Sequence, residues 1–210
     1  DPRSKTNKKP YSASTVNHRR TAILHLYTTI DGPDAPNPVR GIKKFREPDP
    51  PPKGYSYAAI RKILVAVTGA KTRARLAVMA YTALPPAQIM RIAPEHVDWR
   101  ARKVWVQGRR KGQGTTSRLY PLTPEGLKAF RALAAAQAWG RYSTSSARRD
   151  FRKACKAVGT TIGTPYDLRH SFAGETYQVS DERAAMEFLD HRDPRTTRRY
   201  IQGKVPIHIQ

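Results

Sequence analysis

Apolar residues recur every three or four positions through most of the chain, which is the spacing of helices that bury one face. The segment SYAAIRKILVAVTG has this spacing and predicts a helix that ends at Gly69. Two further helices are predicted in TRARLAVMAYTAL and PAQIMRI, and Pro85 and Pro86 separate them because proline cannot continue a helix. We therefore expect a mainly helical domain from Tyr55 onward.

The helical pattern continues after residue 122. Each of the segments PEGLKAFRALAAAQAWG, SARRDFRKACKAVG, YDLRHSFAGETYQV, DERAAMEFLDH and DPRTTRRYIQ predicts a helix. The predicted N-caps are Thr123, which precedes Pro124, then Ser145 or a neighbouring serine, and then Ser180. Gly140 is expected to end the first of these helices.

One segment changes from the helical period to an alternating one. In KVWVQGRRKGQGTTSRLYPLT, Val104 and Val106 alternate with Trp105, three glycines then mark a turn, and SRLYPL is extended again. This pattern predicts a basic β-hairpin, and we expect Trp105 to belong to the core.

The first 54 residues differ in composition from the rest of the chain. Residues 1–13 are polar and basic, STVNHRRTAILHLYTTID predicts one helix with Ser14 as its N-cap, and the following residues are dense in Pro and Gly. We expect a basic arm and helix in residues 1–45, a Pro-rich linker in residues 46–54, and the main domain in residues 55–210.

The charge of the chain indicates a polyanionic partner. Lys and Arg number 39 against 16 Asp and Glu, which gives a formal charge of +23. Counterion release then favours binding to double-stranded DNA. No apolar run approaches the roughly 18 residues of a spanning helix, and the polar N-terminus does not match a secretory signal. We expect a cytoplasmic, nucleoid-associated protein without a membrane partner.

The single cysteine, Cys155, excludes an internal disulfide and a thiolate metal cluster. Its apolar neighbours in DFRKACKAVG, which include Phe151 and Val158, predict that it is a small core residue.

The residues that remain as candidates for chemistry are basic and phenolic. The chain has no phosphate-binding loop, no G-x-S-x-G, no H-E-x-x-H and few clustered acids. The candidates are Lys111 in the hairpin, Arg169, His191 and Tyr200.

Together these four side chains suit strand cleavage in DNA. A tyrosine can attack a phosphodiester and form a 3′-phosphotyrosine bond, which stores the energy for rejoining. Arg and His stabilise the charge on the phosphoryl oxygens, and a Lys protonates the leaving 5′-oxygen. This chemistry requires neither a metal nor a cofactor.

The order of three segments resembles that of the tyrosine recombinase, or phage integrase, family. The segments are GRRKGQGTTSRLYPLTPEG, TPYDLRHSFAGETYQ and FLDHRDPRTTRRYIQG. The resemblance implies that Tyr200 is the nucleophile and that Arg169, His191 and Lys111 assist it. Tyr166 then takes the position of the histidine in the family's H-x-x-R element and is expected to donate to the phosphate.

The resemblance also implies a fold and an assembly. The expected fold is mainly α with a small antiparallel β-hairpin, similar to the tyrosine-recombinase catalytic domain. Residues 1–45 look like the end of a helical core-binding domain that precedes it. Members of this family act as tetramers on paired DNA sites, so a homo-oligomer is expected.

The first catalytic box departs from the family pattern. The family has T-G-L-R there, followed shortly by an acidic residue, and this chain has TALPPAQ, so Pro85 stands at the position of an arginine and Gln88 at that of the acid. Proline has no side-chain donor. Arg91, which falls in the same predicted helix, is a candidate replacement.

Other basic residues are expected to contact DNA phosphates. One group repeats like charges at four-residue spacing in a single predicted helix, which favours a phosphate-binding face. The predicted DNA contacts are Arg109, Arg110, Arg148, Arg149, Arg152, Lys153, Arg198 and Arg199.

Two functions remain open from the sequence. One is a site-specific recombinase that cuts and rejoins DNA through Tyr200, with catalysis impaired by Pro85. The other is a degenerate relative that binds DNA as a regulator, accessory or architectural protein. A histone-like basic protein would explain the charge but not the ordered boxes.

Overall fold

The computed structural model describes residues 10–47, 54–111, 114–189 and 197–198. The chain divides into two compact units, Asp1–Pro51 and Pro52–Gln210. Among the described residues, no helix is long and apolar enough to cross a membrane.

The first unit contains one long helix, α1 (Ala13–Ile30). Its N-cap is Ser12, whose side chain accepts a hydrogen bond from the backbone N–H of Thr15 at 3.2 Å. The expectation that Ser14 caps this helix is therefore wrong, because Ser12 is the serine with the extended backbone, at φ −63° and ψ 152°, that a cap requires.

A return segment lies along α1 and is held by Asn17. The Asn17 Nδ2 donates to the carbonyl of Phe45 at 2.9 Å and to Oε1 of Glu47 at 2.8 Å, and its Oδ1 accepts from the N–H of Phe45 at 2.9 Å. Much of the apolar side of α1 stays exposed, with Leu26 at 53% and Ile30 at 70%. A single helix cannot bury an apolar stripe by itself.

The second unit is mainly helical with a small antiparallel sheet. Its elements in chain order are α2 (Tyr57–Ala66), α3 (Ala70–Thr82), α4 (Pro86–Ile89), β1 (Val97–Asp98), β2 (Lys103–Lys111), β3 (Gly114–Pro121), α5 (Pro124–Ala135), α6 (Thr144–Ala157), α7 (Asp167–Val179) and α8 (Glu182–Leu189). The predicted fold class is thus confirmed.

The helix ends correct several sequence expectations. Thr123 caps α5 as predicted, and of the serines considered for α6 it is Ser143 that caps the helix. At α8 the carboxylate of Asp181 accepts from the N–H of Ala184 at 2.7 Å, so Asp181 takes the position expected for Ser180. Two predicted ends also lie too late, because α2 ends at Ala66 before Gly69 and α5 ends at Ala135 before Gly140.

The sheet confirms the predicted hairpin and corrects the position of one residue. Its strand order is β1-β2-β3, with Val104 paired to Tyr120 and Trp105 to Leu119. Side chains alternate between the two faces of a strand, and Val104, Val106 and Tyr120 occupy the buried face. Trp105 is therefore on the other face and 41% exposed, not in the core.

Helix α3 lies at the centre of the core and packs against α5, α7, α2 and α6. Leu76 and Met79 of α3 join Ile60, Phe130 and Phe151 among its largest fully buried side chains. Cys155 of α6 is fully buried in the same cluster, which confirms its predicted place in the core. Helix α8 packs on α7 and so extends the structure beyond this core.

Arg102 provides a test of the turn that joins β1 to β2. Its φ is 53°, in the left-handed region, whereas the neighbouring Arg100 has no positive φ. We expect Arg102→Gly to raise the free energy of unfolding by about 1 kcal/mol, and thus the melting temperature by about 2–4 °C, in calorimetry. Arg100→Gly removes the same charge from the same turn and should not stabilise the protein. An equal rise in both variants would attribute the effect to charge instead of backbone strain.

Candidate active site and nucleic-acid interface

Arg169 lies in the first turn of α7, where its position is fixed by a local capping network. Asp167 is the first residue of the helix, and its carboxylate accepts hydrogen bonds from the N–H of Thr164 at 2.7 Å and from the Thr164 hydroxyl at 3.2 Å. The next turn of α7 is anchored by Ser171, whose hydroxyl accepts from the N–H of Tyr55 at 2.7 Å. Leu168 is fully buried, so Arg169 enters the interior beside it and is only 7% exposed.

The Arg169 guanidinium joins three parts of the sequence that are distant from one another. Its Nη1 donates to the carbonyl of Ala83, at the end of α3, and its Nη2 donates to the carbonyl of Leu189, the last residue of α8. Leu189 comes two residues before His191 in the chain, and Ala83 comes two residues before Pro85. We call TPYDLRHSFAGETYQ the arginine box and FLDHRDPRTTRRYIQG the last box. The first box, the arginine box and the start of the last box therefore meet at one buried cation.

The first box is a sharp turn between α3 and α4. Ala83 adopts the left-handed conformation with φ 55° and is fully buried, and the next residue, Leu84, donates its N–H to the Thr82 hydroxyl at 3.3 Å. Pro85 follows with φ −70° and ψ 155°, and its carbonyl accepts from the N–H of Gln88 at 2.9 Å. At this position the turn offers a buried pyrrolidine ring and no side-chain donor.

Arg91 does not belong to the helix that the sequence predicted. Helix α4 ends at Ile89, so Arg91 lies in the turn beyond it, where its side chain is exposed. The apolar spacing of PAQIMRI continues past the end of α4, because Ile92 is buried although it lies after the helix.

Tyr166 stands at the exposed edge of this region. It directly precedes α7, is 38% exposed, and packs edge-on against His170 with ring centroids 5.9 Å apart. It also lines a pocket of about 360 Å³ together with Pro86, the residue after Pro85, and with Arg148 of α6. A phenol that faces a pocket in this way can donate to an oxyanion.

Helix α6 presents a basic face because its apolar residues are all on the opposite side. Ala147, Phe151, Ala154 and Cys155 are buried against the core. Basic residues of the helix line an open groove of about 600 Å³. The groove is lined by Ser145, Arg148, Arg149, Arg152, Lys153, Lys156 and Ile162. Ser145 and Arg148 line the Tyr166 pocket as well, so groove and pocket adjoin each other.

The hairpin places Lys111 at its tip. Lys111 is the last residue of β2 and pairs with Gly114, and Arg110 pairs with Thr115. The ladder is irregular between Gln107 and Arg110, close to Arg109. The side chains of Arg109, Arg110 and Lys111 lie outside the described part of the structure.

Three predicted residues of the last box, His191, Arg199 and Tyr200, also lie outside the described residues, as does most of the predicted short helix around them. Arg198 is described and forms an ion pair, with its Nε 2.9 Å from Oε1 of Glu182. A phosphate that binds Arg198 would compete with that carboxylate.

The buried tyrosines of the second unit are poor nucleophiles. Burial raises the pKa of Tyr55, Tyr57 and Tyr120 far above the ordinary value, because the charged phenolate is poorly solvated there. Tyr120 donates its hydroxyl to the carbonyl of Thr82, and Tyr55 donates to that of Thr161 at 3.0 Å. These phenols serve the core, which leaves the exposed Tyr166 and the half-buried Tyr142 as the described phenols that line the pocket at the predicted site.

The model of the phage integrase family matches residues 57–205, which is most of the chain. The chain belongs to this family. Among curated protein sequences, none matches the chain.

Solved structures with the same fold are recombinases and integrases. XerA recombinase is 22% identical with a TM-score of 0.62, over 91% of this chain and 72% of that one. The Tn1549 transposon integrase in complex with transposon right end DNA is 15% identical with a TM-score of 0.71, over 93% and 76%. The integrase from mycobacterium phage Brujita is 20% identical with a TM-score of 0.56, over 94% and 73%. At these identities the likeness establishes the fold of this integrase-family chain.

Two features of the site were not predicted from the sequence of this family member. One is Ala83, which stands at the glycine position of the family's T-G-L-R and binds Arg169 through its carbonyl. Its φ of 55° lies in the left-handed region, which favours glycine. The sequence signal for this turn was therefore the position of the alanine in TALPP, where the family has a glycine. The other is the position of Arg148 in the Tyr166 pocket, which only the fold reveals, because it brings the start of α6 to the same pocket as Pro86 and Tyr166.

Proposed function

We propose that this protein is a site-specific DNA recombinase or integrase that cuts and rejoins strands through Tyr200. Double-stranded DNA is its substrate, and it acts where that DNA is held, in the cytoplasm at the nucleoid. The Tn1549 integrase and XerH recombinase structures, which contain transposon and difH DNA respectively, support this assignment by fold. A tetramer on paired sites stays a prediction.

The proposed chemistry is a reversible phosphoryl transfer. The phenolic oxygen of Tyr200 attacks the phosphorus of a strand, and the bond from phosphorus to the 5′-oxygen breaks. The phenol loses its proton to solvent, and Lys111 donates one to the departing 5′-oxygen. The product is a 3′-phosphotyrosine, and attack by a 5′-hydroxyl on this bond restores a DNA strand and frees the tyrosine.

Arg169, His191 and Tyr166 are proposed to stabilise the charge on the phosphoryl oxygens during this transfer. The observation that carries the proposal is the buried guanidinium of Arg169, which holds the end of α3 and the end of α8 together. This guanidinium connects the arginine box with the first box and with the start of the last box. A protein that only binds DNA by charge has no need of this arrangement.

Pro85 favours a second candidate, a DNA-binding protein without strand transfer. A proline cannot donate to the phosphate, and loss of one transition-state donor typically costs about 100- to 1000-fold in rate. The basic groove on α6 serves either function. We therefore propose that catalysis, where it occurs, is impaired by Pro85.

The α6 groove gives a test of DNA binding that does not depend on catalysis. The plot of log affinity against log salt concentration has a negative slope whose magnitude is about 0.9 per phosphate contact. The triple variant Arg149→Ser, Arg152→Ser and Lys153→Ser should therefore reduce the magnitude of the slope by about 2.7. Fluorescence anisotropy with a random duplex, repeated at several salt concentrations, measures this slope. The exposed residues Lys62 and Lys128 do not line the groove, and their replacement by Ser should change the slope less. An equal change in both sets would assign the binding to overall charge.

Strand transfer is tested by trapping. The protein is incubated with nicked random duplexes and then denatured, and an adduct that survives denaturation is expected from the parent chain and not from Tyr200→Phe. An adduct of equal yield in Tyr200→Phe refutes the nucleophile. Salt-dependent DNA binding with no adduct in any variant supports the second candidate.

A further inference from the structure

The inference concerns the pocket beside Tyr166 and rests on the proposed function. Because Pro85 stands where the family has an arginine, another residue must supply the positive charge there. The pocket holds about 360 Å³ and is bounded by the first box through Pro86, by the arginine box through Pro165 and Tyr166, and by the start of α6. It therefore lies between residues of the first box and residues of the arginine box.

Arg148 is the one Lys or Arg among the described residues that line this pocket. Its side chain is exposed, and no described residue forms a hydrogen bond or an ion pair with its guanidinium. Arg169, proposed above as a donor to the phosphoryl oxygens, does not line this pocket. Arg75 is engaged, because it donates to the carbonyl of Ala138 and its guanidinium lies 4.5 Å from the ring centroid of Tyr142. Arg148 is thus available for an anion in the pocket.

The alternatives fit this position less well. Arg91 lies beyond the end of α4 and does not line the pocket. Arg149, Arg152 and Lys153 line the α6 groove but not the pocket. Arg148 lines both, so it lies at the junction of the proposed DNA track and the proposed site of cleavage.

We propose that Arg148 takes the place of the missing first-box arginine and contacts, together with Tyr166, the phosphate at which the strand is cut. An arginine can reach such an oxyanion from a helix on another side of the pocket, since the guanidinium needs only a suitable approach to two oxygens. In this proposal Arg148 comes from a different part of the sequence than the family's first-box arginine, but it contacts the same phosphate.

The test is a rescue experiment on binding, so it does not depend on catalysis. Arg148→Ala and Arg149→Ala are each expected to weaken the binding of a nicked random duplex by about 10-fold, measured by anisotropy. Pro85→Arg, which restores the first-box arginine, should return most of the lost affinity to Arg148→Ala and little to Arg149→Ala. Arg149 is the matched control because it carries the same charge on the same helix and lines only the groove.

A second measurement keeps the proposal testable where Pro85→Arg does not fold. Arg148→Ala and Tyr166→Phe should be non-additive, with a combined loss at least about 3-fold smaller than the product of the single losses. Arg149→Ala and Tyr166→Phe should multiply. Equal rescue of both arginine variants, or additivity of Arg148 with Tyr166, overturns the inference and leaves DNA binding intact. A parent chain that binds no DNA overturns the proposed function itself.

Discussion

Arg169→Ala is expected to lower the melting temperature by roughly 6–12 °C, because it removes two charge-assisted hydrogen bonds from a buried site and costs about 3 kcal/mol. The carbonyls of Ala83 and Leu189 lose their donor, and α8 loses its tie to α3. The same variant should reduce adduct formation by at least about 100-fold, since the phosphoryl oxygens lose a donor. Calorimetry and the trapping assay measure the two effects separately.

The matched control is Arg183→Ala. Arg183 is an exposed arginine of α8, and no described residue bonds to its side chain, so its removal should leave both the melting temperature and adduct formation close to those of the parent. Arg169→Lys keeps a charge but lacks the planar fork with which the guanidinium donates to both carbonyls, and an intermediate loss of stability is expected. A melting temperature for Arg169→Ala equal to that of Arg183→Ala would show that the guanidinium does not hold the boxes together.

Pro85→Arg is expected to raise adduct formation by about 100- to 1000-fold, by returning a transition-state donor to the first box. The backbone of the turn can accept the change, because Pro85 has φ −70° and ψ 155°, which arginine adopts freely. The hydrogen bonds from Gln88 and Ile89 go to its carbonyl and remain. A small loss of stability of about 0.4–1 kcal/mol accompanies the loss of proline.

Ala87→Arg controls for added charge. Ala87 is an exposed residue of α4, two positions after Pro85, and an arginine there increases the attraction for DNA without entering the box turn. It should change adduct formation by far less than Pro85→Arg. A similar gain in both variants would mean that DNA affinity, and not a missing donor, limits the reaction.

Periodicity predicted the elements well where one face of an element is apolar and the other is charged. In α6 the buried positions Ala147, Phe151 and Ala154 fix the opposite face, so the basic groove followed directly from the sequence. In β2 alternation defines two faces but not which of them is buried, and Trp105 was assigned to the core although Val104 and Val106 occupy it.

Helix ends were predicted less well because several residues near each end had suitable side chains. Ser12 caps α1, two residues before the predicted Ser14, and at α6 the sequence left several serines open, of which Ser143 is the cap. A cap depends on an extended backbone at that residue, and side-chain chemistry alone does not specify it.

The assembly of the candidate site could be predicted only in part. The boxes that contain Arg169, His191 and Tyr200 are visible in the sequence through their order. The meeting of Ala83, Arg169 and Leu189 depends on the packing of α3, α7 and α8, which no local pattern encodes. The same holds for Arg148, whose place in the Tyr166 pocket comes from contacts between distant helices.

The measurement that tests the central claim most directly is the identification of the peptide that carries DNA after trapping. Trypsin releases Tyr200 in YIQGK, residues 200–204, and Tyr166 in AVGTTIGTPYDLR, residues 157–169. Mass spectrometry of the adduct from the parent chain and from Pro85→Arg is expected to find a nucleotide phosphate on YIQGK in at least one of them. A nucleotide on the Tyr166 peptide or on any other peptide, or no covalent adduct in either protein, would contradict the assignment of Tyr200 as the nucleophile.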